Sequence, residues 1–195
     1  SEEMAKPTLW TRVKEGLLDF TGAGTLGLAT FGMAVKNAFS TAINEFRDFD
    51  KAAQSLKGET DMTAQMLDHM KDSAREVGPT FGKTAKEMLE AYNVIASGKS
   101  DIAQNEEALK KVTDEAVRLS VVGEMDVPSA AKTMTESLNQ FGGSVDDAAK
   151  YVDMLATGTR VGAAKIEEIS ASLVKVGPVA KAAGVSFGET NAALQ

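Results

Sequence analysis

The sequence predicts an all-α fold: a compact bundle of short helical hairpins preceded by a long amphipathic helix. Three observations carry that expectation. Glycine punctuates the chain at Gly78-Pro79, Gly98, Gly123, Gly142-Gly143, Gly158, Gly177-Pro178 and Gly184, and glycine or proline is where a helix stops most cheaply. Between these points the apolar residues recur every three or four positions, the period of one helix face. The apolar residues themselves are small or flexible, with nine Met and only 6% aromatics, which suits closely packed helices better than a β-sandwich core.

The N-terminal part begins with Pro7, placed for the first turn of a helix carrying Leu9, Trp10, Val13, Leu17 and Leu18. Phe20 to Val35 follows, apolar and rich in glycine. From there Leu28, Phe31, Val35, Ala38, Ala42, Phe46, Phe49, Ala53 and Leu56 step by three or four, close to a heptad seam. They predict one long amphipathic helix ending near Gly58, and with it a division into an N-terminal segment, 1–58, and a helical core, 59–195.

In the core, Thr60-Asp61 offers capping oxygens for a helix with Met62, Met66, Met70, Ala74 and Val77, stopped at Gly78-Pro79. Ala85, Met88, Leu89, Tyr92 and Ile95 define the next helix, up to Gly98. Ile102, Leu109, Val112, Ala116 and Leu119 define its hairpin partner, with Ser100 or Asp101 as caps. After Asp126, Pro128 fits the first turn of a helix bearing Ala130, Ala131, Met134, Leu138 and Phe141. Ser144 to Asp147 reads as a capping box with Asp in the acidic place, opening a helix with Ala148, Ala149, Val152 and Leu155. Ile166, Ile169, Leu173 and Val176 lead to Gly177-Pro178, and Ser186 to Glu189 is a second box. Similar segments start at Lys83, Val127 and Ala164, but at unequal spacing, so a compact bundle fits better than a solenoid.

Composition narrows function. With 21 Lys plus Arg against 28 Asp plus Glu, a net charge of −7 and no basic run, the chain is poorly suited to specific nucleic-acid binding, which rests on phosphate neutralisation. The absence of Cys removes disulfides, thiolate nucleophiles and cysteine zinc sites, and one His leaves little for imidazole chemistry. The chain opens without Met or a signal-like segment and ends inside a helical pattern at Ala192 to Gln195, so it reads as part of something longer.

The individual motifs favour structure over chemistry. Gly22, Gly24 and Gly27 satisfy the G-x-G-x-x-G spacing, but no strand precedes them and no βαβ pattern follows, so close helix packing is the better reading. Phe20 to Val35 falls short of the ~20 residues that span a bilayer, although membrane contact through 20–35 stays open as a second reading. Met62, Met66 and Met70 at helical spacing are core before they are a binding groove, and His69 is a boundary residue without a companion ligand. Asp146-Asp147, Glu106-Glu107 and Glu167-Glu168 point apart on a helix and suit its first turn. No catalytic, cofactor-binding or metal-ligating residue is therefore expected, nor a cofactor, and no enzyme.

In order, the blocks resemble the core region of phage tail tape measure proteins. The residues that carry the resemblance are Glu45 to Ala52, Ala74 to Phe81 with Ala85 to Ala91, Asp126 to Ala131 with Ser137 to Gly142, and Ala148 to Ala156. The last block is Ile166 to Leu173, Gly177 to Ala180, Ala183 to Phe187 and Asn191 to Leu194. The departures are Gly82-Lys83-Thr84 in place of a small polar helix start, a long Gly98 to Gly123 stretch, and Ala163-Ala164 without a hydroxyl cap.

The resemblance implies a structural virion protein acting in tail assembly, tail length determination and genome delivery. Tail tube proteins, tail tip proteins and assembly chaperones would be its partners, the host cytoplasm its place of assembly and the tail tube lumen its destination. At ~1.5 Å of rise per helical residue, the length of such a chain converts directly to tail length. A compact core would not itself be the ruler. The seam from Leu28 to Leu56 is expected to mediate self-association or contact with neighbouring tail proteins.

Overall fold

A computed structural model describes residues 24–161 and 165–195, with side chains described from residue 33 onward except at 158–161 and 167. The described residues form eight α-helices and no strand: α1 (Gly24–Thr60), α2 (Ala64–Val77), α3 (Ala85–Gly98), α4 (Glu106–Val122), α5 (Val127–Phe141), α6 (Ala148–Val161), α7 (Ile166–Ala182) and α8 (Phe187–Ala193). Short 3₁₀ turns at Gly78–Phe81 and Val145–Asp147 precede α3 and α6. The fold is thus all-α, as the sequence predicts. Compactness divides the chain into units 1–47 and 48–195, while the sequence-based division at 58 falls near the end of α1.

Local chemistry sets most helix starts. Asp126 accepts from the Ser129 backbone N–H at 2.9 Å and Pro128 occupies the first turn of α5. Ser144 donates its backbone N–H to Asp147 at 2.9 Å and its hydroxyl at 2.8 Å. Ser186 and Glu189 form a reciprocal box, as do Thr84 and Glu87 at the head of α3. The Gly82-Lys83-Thr84 departure is therefore an effective start after all, because Thr84 supplies the hydroxyl and Gly82, at φ +68°, reverses the chain ahead of it. At Lys165 only half a box exists: the Glu168 carboxylate accepts from the Lys165 N–H at 3.3 Å.

Four expectations are corrected. Thr60 does not cap α2; its hydroxyl donates to the Leu56 carbonyl, closing α1, and Thr63 caps α2 by accepting from the Met66 N–H at 3.2 Å. Neither Ser100 nor Asp101 caps α4. Asn105 does, accepting from the Ala108 N–H at 3.0 Å, while Asp101 pairs with Lys99 at 3.0 Å. Gly158 does not end α6, which runs on to Val161.

Gly177-Pro178 does not end α7 either, and the reason is non-local. Proline has no N–H for the carbonyl four residues back. The side chain of Gln140 on α5 donates Nε2 to that carbonyl, Val174, at 3.4 Å. Gly177 leaves the room: a Cβ there would collide with the Gln140 amide.

In the 48–195 unit, α3, α4 and α5 pack mutually, α2 lies on α3, α6 on α4, α7 on α5, and α8 contacts both α6 and α7. Met88, Leu89, Tyr92, Ile95, Leu109, Leu119, Met134, Leu138 and Leu155 are fully buried, each large apolar side chain contributing roughly 1.5–3 kcal/mol. Buried Ala91, Ala116, Ala130 and Ala131 let the helix backbones approach. Met62, Met66 and Met70 are core, not groove. The Tyr92 phenol, pushed up to about 12 by burial, meets the Ser73 hydroxyl at 3.0 Å. Phe187 stacks on Tyr151 at 4.0 Å and meets Phe141 edge-on at 5.2 Å, anchoring α8.

Candidate interaction surface

Of the polar side chains singled out in the sequence, the structure brings His69 and Glu106 together in an ion pair and uses the others whose contacts are described in caps and surface pairs. Glu106 accepts from Lys110 at 2.7 Å and pairs with His69 Nδ1 at 2.9 Å, and these bonds lower its pKa. Asp146 takes Lys111 at 2.5 Å. Asp147 is pulled down to about 2, first by the Ser144 N–H and then by the Ser144 hydroxyl and Lys150. Arg118 bridges Glu115 and Asp153 between α4 and α6. No group of three His, Cys, Asp or Glu placed to hold a metal occurs among the described residues. Gly24 and Gly27 lie in α1, and Gly22 falls outside the described residues. No helix among the described residues is long and apolar enough to cross a membrane; of 20–35, residues 24–35 lie in α1 and the rest are outside the description.

What the structure does present is apolar surface on α1. Phe39 is 67% exposed, Phe46 69% and Ile43 56%, with Val35 also exposed. At about 100° per residue these four share an arc of about 80°. The rest of this stretch is polar Lys36, Asn37, Ser40, Thr41, Asn44 and Glu45 with Ala38 and Ala42, all exposed as well.

The predicted seam is therefore split. Val35, Ala38, Ala42 and Phe46 are exposed, whereas Phe49, Ala53 and Leu56 belong to the core cluster of the 48–195 unit. Leu28 and Phe31 have no described side chain. The expectation that the whole seam serves self-association is corrected: its C-terminal third is already covered by α2 and its neighbours, with Arg75 set 4.5 Å from the Phe49 ring centre. Phe39 and Ile43 were missed. For Phe39 the signal was available, since Val35, Phe39, Ala42, Phe46, Phe49, Ala53, Leu56 and Thr60 alternate steps of four and three without a break, the heptad of a coiled-coil seam; Ile43 lies beside that seam and not in it.

Known proteins place this arrangement. The chain is 26% identical over 184 residues to a tape measure protein of Pneumococcus phage Dp-1, covering 94% of this chain and 15% of that protein. It is 25% identical over 177 residues to a probable tape measure protein of Escherichia phage P2, covering 91% of this chain and 21% of that protein. The chain thus spans about a fifth or less of the length of these relatives. No solved structure matches. The family of phage-related minor tail proteins matches over residues 71–195, nearly two thirds of the chain and most of the capped bundle. That match, over more than half of the chain, shows the family: the chain belongs to the phage-related minor tail protein family.

Proposed function

We propose that this chain is the folded core of a tape measure protein, a structural, non-enzymatic element of a phage tail. It acts in tail assembly, and the parent protein sets tail length and takes part in genome delivery. The observation that carries the reading is the similarity to two tape measure proteins over more than nine tenths of this chain but only 15% and 21% of theirs. The described helices, stopping and restarting as they do, cannot convert residues into length at ~1.5 Å each. The ruler belongs to the remainder of the parent, and this module gives it a folded station. Contacts with tail tube proteins, tail tip proteins or assembly chaperones are made through the exposed α1 face, Val35, Phe39, Ile43 and Phe46. The parent works in the virion, within the tail tube, after assembly in the host cytoplasm.

The test is genetic. In a phage carrying the parent gene, Leu89→Asp places a charge at a fully buried site and should abolish tails. In-frame insertion in a helical stretch outside this module should lengthen them in proportion. Tails of normal number and length with Leu89→Asp, in a protein shown to be unfolded over this module, would reject the assembly role.

A further inference from the structure

The 48–195 bundle uses one helical motif three times. The end of α1 turns through Asp61, at φ +51°, into α2 behind the Thr63 cap; α4 turns through Glu124, at φ +52°, into α5 behind Asp126; α7 turns through Gly184, at φ +77°, into α8 behind Ser186. Between turn and cap stands an apolar residue each time, Met62, Met125 and Val185. After α2 and α5 the chain turns again, at Gly82 and Gly142, φ +68° and +70°, into α3 behind Thr84 with Glu87 and into α6 behind Ser144 with Asp147. Asp61 and Glu124 lie 63 residues apart, and Glu124 and Gly184, like Gly82 and Gly142, lie 60 apart. The sequence conceals this repeat because matched residues share a role and not an identity.

In the two complete triplets the third helix lies along the first. Asn93 on α3 donates to Ser55 at 3.3 Å and to Glu59 at 3.1 Å on α1, and at the positions matching Asn93 and Ser55, Asp153 on α6 pairs with Arg118 on α4. One apolar edge of each first helix is buried there: Phe49, Ala53, Leu56 and Met62 on and after α1, Val112, Ala116, Leu119 and Met125 on and after α4.

The third triplet, α7 and α8, has no third helix among the described residues. Its matched edge is nonetheless apolar: Ser172 is half-buried, but Val176 is 38% exposed, Val179 71% and Val185 38%. On α8, Leu194 is only partly buried where the matching Met134 of α5 is fully buried. A repeat cannot bury its own apolar edge without the helix that closes it.

Resting on the reading of this chain as part of a longer tape measure protein, we propose that the α7 edge seats the third triplet's own closing helix, supplied by the parent protein at about positions 205–221, 60 residues after α6 and the turn before it. In both complete triplets the occupant comes from the same chain, one short turn after the second helix. A second copy has no spare helix of this kind, because Met88, Leu89, Tyr92 and Ile95 of α3 and Val152 and Leu155 of α6 are already buried. Charge defines the occupant further. From Ile169 to Gly188 the chain carries Lys175 and Lys181 and no acidic residue, so the arriving helix presents carboxylates at its rim, as Asp146 and Asp153 do toward Lys111 and Arg118.

The chain has no cysteine, so single thiols report cover on a clean background. Val179→Cys is compared in the 195-residue chain and in the parent sequence continued through about position 221, with Ellman's reagent under native conditions. The thiol should react freely in the shorter protein and about tenfold or more slowly in the longer one. Lys181→Cys should react alike in both, since the matching Val121 is exposed in the complete second triplet. Circular dichroism of the longer protein should show the added helix. Equal rates for Val179→Cys at both lengths, equal slowing of Lys181→Cys, or no added helix overturns the proposal. Protection within the 195-residue chain that grows with protein concentration also overturns it, by assigning the edge to a second copy. None of these results touches the tail-assembly reading, which is decided by tail production with Leu89→Asp.

Discussion

Substituting Gly98 with alanine pits helix propensity against packing. Gly98 is the last residue of α3 and faces Thr135 on α5, and a Cβ there would lie 2.5 Å from Thr135 Cγ2. Carbon atoms in good contact sit about 3.5–4.0 Å apart, so the overlap is about 1 Å. Thr135 cannot yield easily: it is buried, and its hydroxyl donates to the Ala131 carbonyl at 2.8 Å, so rotating the methyl away breaks that bond. Neither can the backbone, because the Gly98 carbonyl accepts from Asn139 Nδ2 at 2.7 Å. Overpacking of this kind costs about 1–3 kcal/mol, and at a helix end alanine returns less than the ~1 kcal/mol it gains over glycine in a helix interior. Gly98→Ala should therefore destabilise by roughly 1–2 kcal/mol, about 2–8 °C in Tm for a chain of this size. Thr135→Ser removes the offending methyl and keeps the hydroxyl bond, so the double variant should recover part of the loss in a urea or thermal unfolding cycle. A Gly98→Ala protein as stable as wild type, or one that Thr135→Ser makes worse, would refute the reasoning.

Three other perturbations test separate links. Gln140→Ala should leave the Val174 carbonyl without its side-chain donor, so amide exchange should accelerate around Val174 to Ala182 while α3 and α4 stay protected; unchanged exchange in α7 counts against the account of Pro178. Asp147, held at about 2 by Ser144 and Lys150, is a depressed carboxylate, so its contribution is present above the ordinary value of about 3.9 and is lost as pH falls toward about 2. Asp147→Asn should lower Tm at neutral pH, and the gap from wild type should close through that acid window; a gap unchanged at pH 2 contradicts it. Asp114 runs the other way: burial, then Glu115, raises its pKa, and its Oδ1 is buried without a partner, so Asp114→Asn should raise Tm at neutral pH, with the advantage shrinking in acid as the wild-type carboxyl is protonated.

The sequence was most legible where the cause is local. Asp126 with Pro128, Ser144 with Asp147 and Ser186 with Glu189 each act over three residues, and each sits where its residues place it. Thr84 with Glu87 is equally local and was passed over because Gly82 and Lys83 obscured it. Thr60 misled because two threonines lie three residues apart and only the geometry of the α1 end decides which hydroxyl is free to cap α2. Gly177-Pro178 could not be read at all from its neighbours, since the group that keeps α7 continuous, Gln140, is 34 residues away. The α1 seam shows the same division at larger scale. Its period was visible, but which half the chain covers for itself depends on where α2 and α3 pack. The candidate surface was therefore half identified: Val35 and Phe46 from the sequence, Phe39 missed although the heptad series includes it, and Ile43, beside the seam, only once exposure was known.

The central claim is that residues 48–195 fold as one cooperative, capped bundle and are not a run of independent helices along a ruler. Native-state hydrogen exchange followed residue by residue through a urea series tests it most directly. The account predicts that the amides of Leu89, Leu109, Val112 and Leu138, fully buried on three different helices, converge on a single opening free energy equal to that of global unfolding. Separate openings of α3, α4 and α5, each with its own free energy well below the global value, would contradict it.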